Sequence, residues 1–228
     1  VGLAAVLVAS MCQMAGYSNK FWPNLPQLPI ILPILLTLAA VAVIGAINGF
    51  MISKLKMLPF IATYGMSTIV YGINCLYFAK EPNNSQPIGG IRDDLKFLST
   101  YKLFGQVSLL VVIAIVAIVV VWFVLNKTVF GKNIYIVGGS PEAAKVSGIS
   151  VGKIIMAVFI IESCLVGLAG IMEVARTGGA NSSYGNAYEF DAISSCVVGG
   201  VSLSGGVGKV SGAAIGVIIF TIISYGLA

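Results

Sequence analysis

Residues 107–125 read VSLLVVIAIVAIVVVWFVL, a nearly unbroken run of Val, Ile, Leu and Ala without a charged side chain. A helix that crosses the hydrocarbon core of a bilayer needs about 20 mostly apolar residues, and this run has that length. Strands of membrane barrels are about 9–11 residues long and alternate in polarity, which this segment does not. The segment therefore predicts a transmembrane α-helix.

The composition of the whole chain agrees with this prediction. Of 228 residues, 58% are apolar and 9% are charged, whereas soluble domains average about 25% charged residues. That leaves too little polar surface for a cytosolic enzyme, a nucleic-acid binder or a disordered chain. The chain has no His, which removes histidine-based catalysis and most zinc sites. The remaining class is an all-α, polytopic helical bundle in a membrane.

Other apolar segments predict further spans. Complete spans are expected at residues 29–53, 58–79, 154–174 and 207–227, and residues 1–16 read as the end of one. The longest polar loop is expected at residues 80–104. Because the chain opens inside an apolar run without Met and closes without a polar tail, we expect a fragment with spans missing at both ends.

Basic residues in the loops do not settle the orientation, because they divide six against six. One set of loops contains Lys54, Lys56, Lys127, Lys132, Lys145 and Lys153, and the other contains Lys20, Lys80, Arg92, Lys96, Lys102 and Arg176. Cytoplasmic loops carry the excess of Lys and Arg. When Lys209 is counted, the first set of loops contains one basic residue more than the second, which favours a cytoplasmic position for the first set.

The segment 187–207 must cross the membrane if Arg176 and Lys209 lie on opposite sides, yet its apolar part is too short for a full helix. A half-helix followed by extended backbone fits, since irregular backbone is tolerated where it lies in protein or lines a cavity. A flexible loop is the alternative. The break is expected at Gly199, Gly200, Gly205 and Gly206.

Small residues repeat every fourth position in two of the spans. Close packing of helices within one subunit is favoured over a subunit interface for both repeats. The repeats are Gly45 and Gly49, and Gly208, Gly212 and Gly216.

A few polar residues interrupt the apolar spans. Sugar hydroxyls need hydrogen-bonding groups beside aromatic faces, so these residues are candidates for a translocation path, with hydrogen bonds between helices as the alternative. Glu162 is an ionisable residue within a span, and it is either a proton-relay group or a neutral group bonded to a neighbour such as Ser163. The candidates for the path are Asn48, Tyr71, Asn74 and Ser195.

The segment 140–148 predicts a short helix between two spans. Ser140 suits the N-cap and Pro141 the first helical position. The negative charge of Glu142 would interact favourably with the positive N-terminal end of the helix dipole. Ala143 and Ala144 are strong helix formers, and Gly148 is expected to end the helix. Such a helix suits docking into the cleft of a partner, and an ordinary surface helix is the alternative.

No nucleotide or metal site is expected in the chain. Residues 205–209, GGVGK, lack the first Gly of a phosphate-binding loop and have Val210 where Ser or Thr must bind magnesium. The four cysteines, Cys12, Cys75, Cys164 and Cys196, lie in apolar stretches without a C-x-x-C motif and are interpreted as core residues.

The segment SPEAAKVSGI at residues 140–149 resembles the coupling loop of ABC importer permeases. The surrounding motifs are similar to the ribose/galactose sugar-import branch of that family. They are NG at 48–49, PFIAT at 59–63, YGIN at 71–74, FGKN at 130–133, GG at 138–139 and CVVGGVSLSGGVG at 196–208.

The resemblance implies a single permease domain over residues 1–228, with 127–153 as a cytoplasmic coupling loop, in a multi-pass protein of about ten spans in the bacterial inner membrane. Two copies would form the pore, a cytoplasmic ATPase would carry ATP and Mg²⁺, and a periplasmic sugar-binding protein would deliver galactose or a methyl galactoside. The chain itself would bind no cofactor and no nucleic acid. The ATPase-coupling residues would be Ser140, Pro141, Glu142, Ala143, Ala144, Lys145, Val146 and Gly148.

Several other functions stay open at this point. A permease of similar architecture could carry ribose, another sugar, nucleosides or branched-chain amino acids. A proton-coupled secondary transporter would use Glu162. A structural or assembly subunit would carry no substrate. An intramembrane enzyme is the least favoured, because no nucleophile–base pair is evident.

Overall fold

The computed structural model describes residues 1–103 and 105–226 of the chain. Within them the fold is helical, with one hairpin of two-residue strands. Phe104, at the end of the expected polar loop, and Leu227, at the end of the last expected span, lie outside the described residues. The elements are α1 (Gly2–Met11), α2 (Ile31–Ser53), α3 (Pro59–Ala79), α4 (Asp93–Thr100), β1 (Lys102–Leu103), β2 (Val107–Ser108), α5 (Leu109–Lys127), α6 (Val129–Gly139), α7 (Pro141–Val146), α8 (Val151–Thr177), α9 (Tyr188–Val198) and α10 (Val210–Gly226).

Three of the described helices, α2, α5 and α8, are long and apolar enough to cross a membrane. The predicted spans at these places are therefore confirmed as helices. Helix α3 has 21 residues, but Thr, Tyr, Ser and Asn side chains make it less apolar, and it is not among the three. Helices α1 and α10 are shorter and apolar.

Two helices lie where the sequence predicted loops. Helix α4 occupies part of the expected loop 80–104. Asp93 and Asp94 stand in its first turn, where their negative charges interact favourably with the positive end of the helix dipole. Leu95 of this helix is fully buried. Helix α6 follows α5 directly. The Thr128 Oγ1 accepts a hydrogen bond from the Gly131 backbone nitrogen at 3.1 Å, which caps α6.

The described chain forms two compact units, and unit 1 consists of Val1–Ile113 and Phe159–Gly185. Its core joins α1 to three loops that the charge analysis assigned to one side of the membrane. Ile88 and Ala180 form an antiparallel bridge, and Gln13 pairs with Ile91 in the same way. The Arg92 Nη1 donates to the Leu28 carbonyl at 2.6 Å. Segments that the sequence separates widely therefore lie together.

Helices α2 and α8 approach closely within unit 1. A Cβ on Gly45 would lie 2.5 Å from the Phe159 carbonyl oxygen and from the Ser163 Oγ. A Cβ on Gly167 would lie 2.7 Å from a methyl carbon of Val41. The prediction that Gly45 packs within the chain is confirmed, because only a hydrogen side chain permits this approach.

Unit 2 consists of Ala114–Val158 and Asn186–Ala228. In its described part, α9 and α10 form a closely packed pair. A Cβ on Gly212 would collide with the Gly199 carbonyl, and a Cβ on Gly216 would collide with the Ser195 carbonyl. The glycines on the α10 stripe thus serve packing inside the chain, as expected.

Candidate functional site

Helix α7 is held in place by local contacts at both ends. The Ser140 Oγ accepts a hydrogen bond from the Ala143 backbone nitrogen at 3.2 Å, and Pro141 occupies the first helical turn. At the other end Gly148 has φ +77°, and the Ile149 backbone nitrogen donates to the Ala144 carbonyl at 2.9 Å. The predicted start and stop of this helix are confirmed.

The surface of α7 is almost entirely open. Ala144 is 0% exposed and attaches the helix to the rest of the unit, whereas Val146 is 91% exposed. An isolated apolar side chain with this exposure gains free energy when a partner covers it. The other residues assigned to the coupling site are exposed or, for Ser140, half-buried; the exposed ones are Pro141, Glu142, Ala143, Lys145 and Gly148.

The predicted break after α9 is also present. Helix α9 has 11 residues, so its length is about 16 Å at about 1.5 Å per residue, roughly half of a bilayer core. Gly199 caps it at φ −74°, and three later glycines have positive φ, which side chains other than Gly rarely adopt. These are Gly200 at +79°, Gly205 at +88° and Gly206 at +72°.

The glycine loop, residues 199–209, packs on α6 inside unit 2. A Cβ on Gly205 would lie 2.7 Å from the Gly138 carbonyl oxygen, and one on Gly206 would lie 2.6 Å from the Gly139 Cα. The Tyr135 hydroxyl donates to the Gly208 carbonyl at 3.1 Å. The sequence reasoning missed this contact, although the two Gly-Gly pairs at 138–139 and 205–206 are visible in the sequence. Helix α6 thereby links the glycine loop to α7.

The polar residues proposed for a translocation path have different surroundings. Asn74 is 1% exposed, and its Nδ2 donates to the Ser182 carbonyl at 3.2 Å. Tyr71, one turn earlier on α3, is 47% exposed. The Asn48 Oδ1 on α2 is buried and has no hydrogen-bond partner among the described residues. These three residues belong to unit 1, whereas Ser195, buried beside Gly216, belongs to unit 2.

Glu162 lies near the middle of α8. Its side chain is exposed, and the residues that the structure describes offer it no hydrogen bond or ion pair. The acidic residue nearest to it on α8, Glu173, is different, since Arg176 donates to its Oε1 at 2.8 Å.

Comparison with known families identifies the family of the chain. All of residues 1–228 match the family described as "Branched-chain amino acid transport system / permease component". The chain belongs to this permease family. No solved structure matches it.

Named relatives of the permease are sugar importers. The chain is 45% identical to the galactose/methyl galactoside import permease protein of Escherichia coli (strain K12), over 100% of its own residues and 68% of that protein. Identity to the protein of the same name from Haemophilus influenzae is 44% over the same shares. Identity to the ribose import permease of Bacillus subtilis (strain 168) is 36%, over 79% of the chain and 55% of that protein. The permease is thus a transport subunit in a membrane and not an enzyme.

Proposed function

We propose that the chain is the membrane-spanning subunit of an ATP-driven importer for galactose or a methyl galactoside. Three relatives named for that cargo are 44–45% identical over the whole chain, and a fourth is 37% identical over 90% of it. The fructose and ribose permeases are 31% and 36% identical. This difference favours galactose over the other sugars, and all of these relatives favour a sugar over an amino acid.

The exposed helix α7 is the single observation that carries the proposal. It has well-formed caps, one buried methyl group and an outward apolar residue at 91% exposure. A short helix with these properties fits into the cleft of a cytoplasmic ATPase. Residues 127–153 would then be cytoplasmic, and the ATPase partner would hold ATP and Mg²⁺; the mismatch of residues 205–209 to a phosphate-binding loop is consistent with this assignment.

The loop cluster of unit 1 would then face the periplasm, in the inner membrane of a bacterium. Phe97 of α4 and Tyr101, which directly follows this helix, have rings that lie 5.0 Å apart and side chains that are 53% and 45% exposed. Exposed aromatic pairs are typical of the centre of a protein interface. A periplasmic sugar-binding protein would dock on this surface, and a second copy of the permease would complete the pore.

Coupling would proceed through the backbone on either side of α7. Closure of the ATPases on ATP moves α7, and helices α6 and α8 move with it because Ser140 and residues 147–150 connect them directly. The cavity between the permease copies then opens to one side of the membrane at a time. Since the binding protein delivers the sugar, the pore does not need high affinity.

Uptake of radiolabelled galactose tests the proposal, in cells with the full-length permease, its ATPase and its binding protein. We expect Glu142→Arg and Gly148→Trp to abolish uptake at normal membrane levels. The matched controls are Glu142→Asp, which keeps the negative charge at the helix start, and Gly148→Asn, because Asn tolerates positive φ. Both controls should retain uptake.

Two results would contradict parts of the proposal. Uptake of ribose but not galactose by the wild type would overturn the cargo and leave the importer assignment intact. Undiminished galactose uptake by both disruptive variants would show that α7 is an ordinary surface helix, and the importer assignment would lose its structural support.

A further inference from the structure

Glu162 is the most unusual residue of the spanning helices, because it is a carboxylate without a partner at membrane depth. It stands eleven residues after the start of α8 at Val151 and fifteen before the end at Thr177. The side chains one turn further along the same face, Leu165 and Val166, are exposed and apolar. A carboxylate that faces hydrocarbon is strongly unfavourable, so ionisable residues in spans face the protein interior or a water-filled cavity.

No described basic residue lies where it could form an ion pair with Glu162 and so offset the cost of this carboxylate at membrane depth. The basic residues nearest to Glu162 on α8 are Lys153, about 13 Å away along the axis at about 1.5 Å per residue, and Arg176, which is bound to Glu173. In the described parts of α2, α3 and α10 there is no Lys or Arg. A second copy of the chain would offer the same side chains. Among the described residues Glu162 therefore has no cationic partner, and neutral hydroxyl groups are the donors considered below.

A second acceptor without a partner lies on the adjacent helix. Gly45 of α2 contacts Phe159 and Ser163, and Val41, one turn earlier on α2, contacts Gly167, so the two helices run antiparallel. Asn48, one turn beyond Gly45, then lies about one turn from the level of Glu162 on the side of the α8 start. Its Oδ1 is buried and unpartnered among the described residues. Both helices thus carry an acceptor that lacks a donor.

We propose that Glu162 faces the water-filled path through the assembled permease and accepts hydrogen bonds from hydroxyl groups of the passing sugar. A carboxylate has two oxygens and can accept from two neighbouring hydroxyls at once. Sugar and water would supply the neutral donors that Glu162 lacks among the described residues. The sugar contact rests on the proposed function, whereas the contact with water does not.

Thiol accessibility tests the position of Glu162. The full-length permease is prepared with Cys12, Cys75, Cys164 and Cys196 replaced by Ser and with Glu162→Cys, and it is assembled with its ATPase and binding protein in membranes. A charged, water-soluble methanethiosulfonate reagent modifies the thiolate, which forms only in contact with water. Val174→Cys is the matched control, because Val174 lies on the same helix and is 0% exposed.

We expect Glu162→Cys to react at least about tenfold faster than Val174→Cys, because only the former thiol can ionise in water, and we expect saturating galactose to slow its reaction. Equal, slow reaction of both would overturn the proposal. Fast reaction that galactose leaves unchanged would overturn the sugar contact. If the wild type carries no galactose, the proposed cargo fails, and fast labelling of Glu162→Cys still supports the water-filled path.

Kinetics of uptake separate a sugar contact from a proton site. Glu162→Gln keeps the shape and one acceptor oxygen, so we expect the half-saturating galactose concentration to rise about tenfold, in line with the loss of a hydrogen bond to a charged group. Maximal uptake should be retained. Complete loss of uptake in Glu162→Gln at normal membrane levels would instead indicate proton coupling and overturn the proposal.

Discussion

Gly138 of α6 lies against Gly206 of the glycine loop so closely that a Cβ on Gly138 would come within 2.7 Å of the Gly206 backbone nitrogen. Helix α6 ends at Gly139, and Ser140 is both its C-cap and the N-cap of α7. The glycine loop in turn leads into α10. Under the proposed coupling mechanism, a displacement of α7 would be transmitted to the pair of α9 and α10 through this contact between backbones.

Enlarging Gly138 should interrupt this transmission. We expect Gly138→Val to reduce galactose uptake at least about tenfold, because the added side chain separates two backbones that have no room to give way. Gly139→Ala is the matched control, since nothing lies within 4 Å of a Cβ at that position. ATP hydrolysis by the assembled complex is measured in parallel, and normal uptake by Gly138→Val would show that the contact transmits nothing.

The contact between α9 and α10 should be sensitive to a single methyl group. A Cβ on Gly216 would collide with the Ser195 carbonyl, so Gly216→Ala should lower the unfolding temperature of the purified permease. Gly72→Ala on α3 is the comparison, because its Cβ meets open space. That change should stabilise α3 by about 0.5–1 kcal/mol. Equal unfolding temperatures of the two variants would contradict the close packing of α9 on α10.

Removing the N-cap of α7 should weaken the helix while the side chains at residues 141–148 stay unchanged. Ser140→Ala eliminates the acceptor for the Ala143 nitrogen, which costs about 0.5–2 kcal/mol. We expect faster amide exchange at residues 142–146 and a partial loss of uptake. Ser140→Asp should restore both, because Asp is an equally good cap. Unchanged exchange in Ser140→Ala would show that the cap does not stabilise α7.

Asn74 should behave as a structural residue and not as part of the sugar path. Asn74 is 1% exposed and its Nδ2 donates to the carbonyl of the half-buried Ser182, so Asn74→Ala removes this hydrogen bond and should lower stability by about 0.5–1.5 kcal/mol. The half-saturating galactose concentration of the remaining folded permease should stay unchanged. A large change in that concentration, measured by uptake, would instead indicate that Asn74 contacts the sugar along the translocation path.

The features that the sequence predicted are those set by local physical chemistry. Ser140, Pro141 and Gly148 mark the ends of α7 because caps act within four residues. Helix α6 was missed because its glycines disfavour a helix, and its stability comes from contacts such as that between Tyr135 and Gly208, which are 73 residues apart. The sequence pattern also could not show whether Asn74 has a structural role or binds sugar, because its hydrogen-bond partner Ser182 is 108 residues away in the sequence.

The single inward residue of α7 has a consequence for how such transporters diversify. Ala144 alone secures the helix from within, and the caps are backbone devices that accept several residue types. Substitutions at the exposed positions of α7 should therefore leave the packing of the membrane helices unchanged. These positions include Glu142, Lys145 and Val146. If α7 docks on an ATPase as proposed, changes to a few of these surface side chains would alter which ATPase the permease accepts while the membrane helices stay the same.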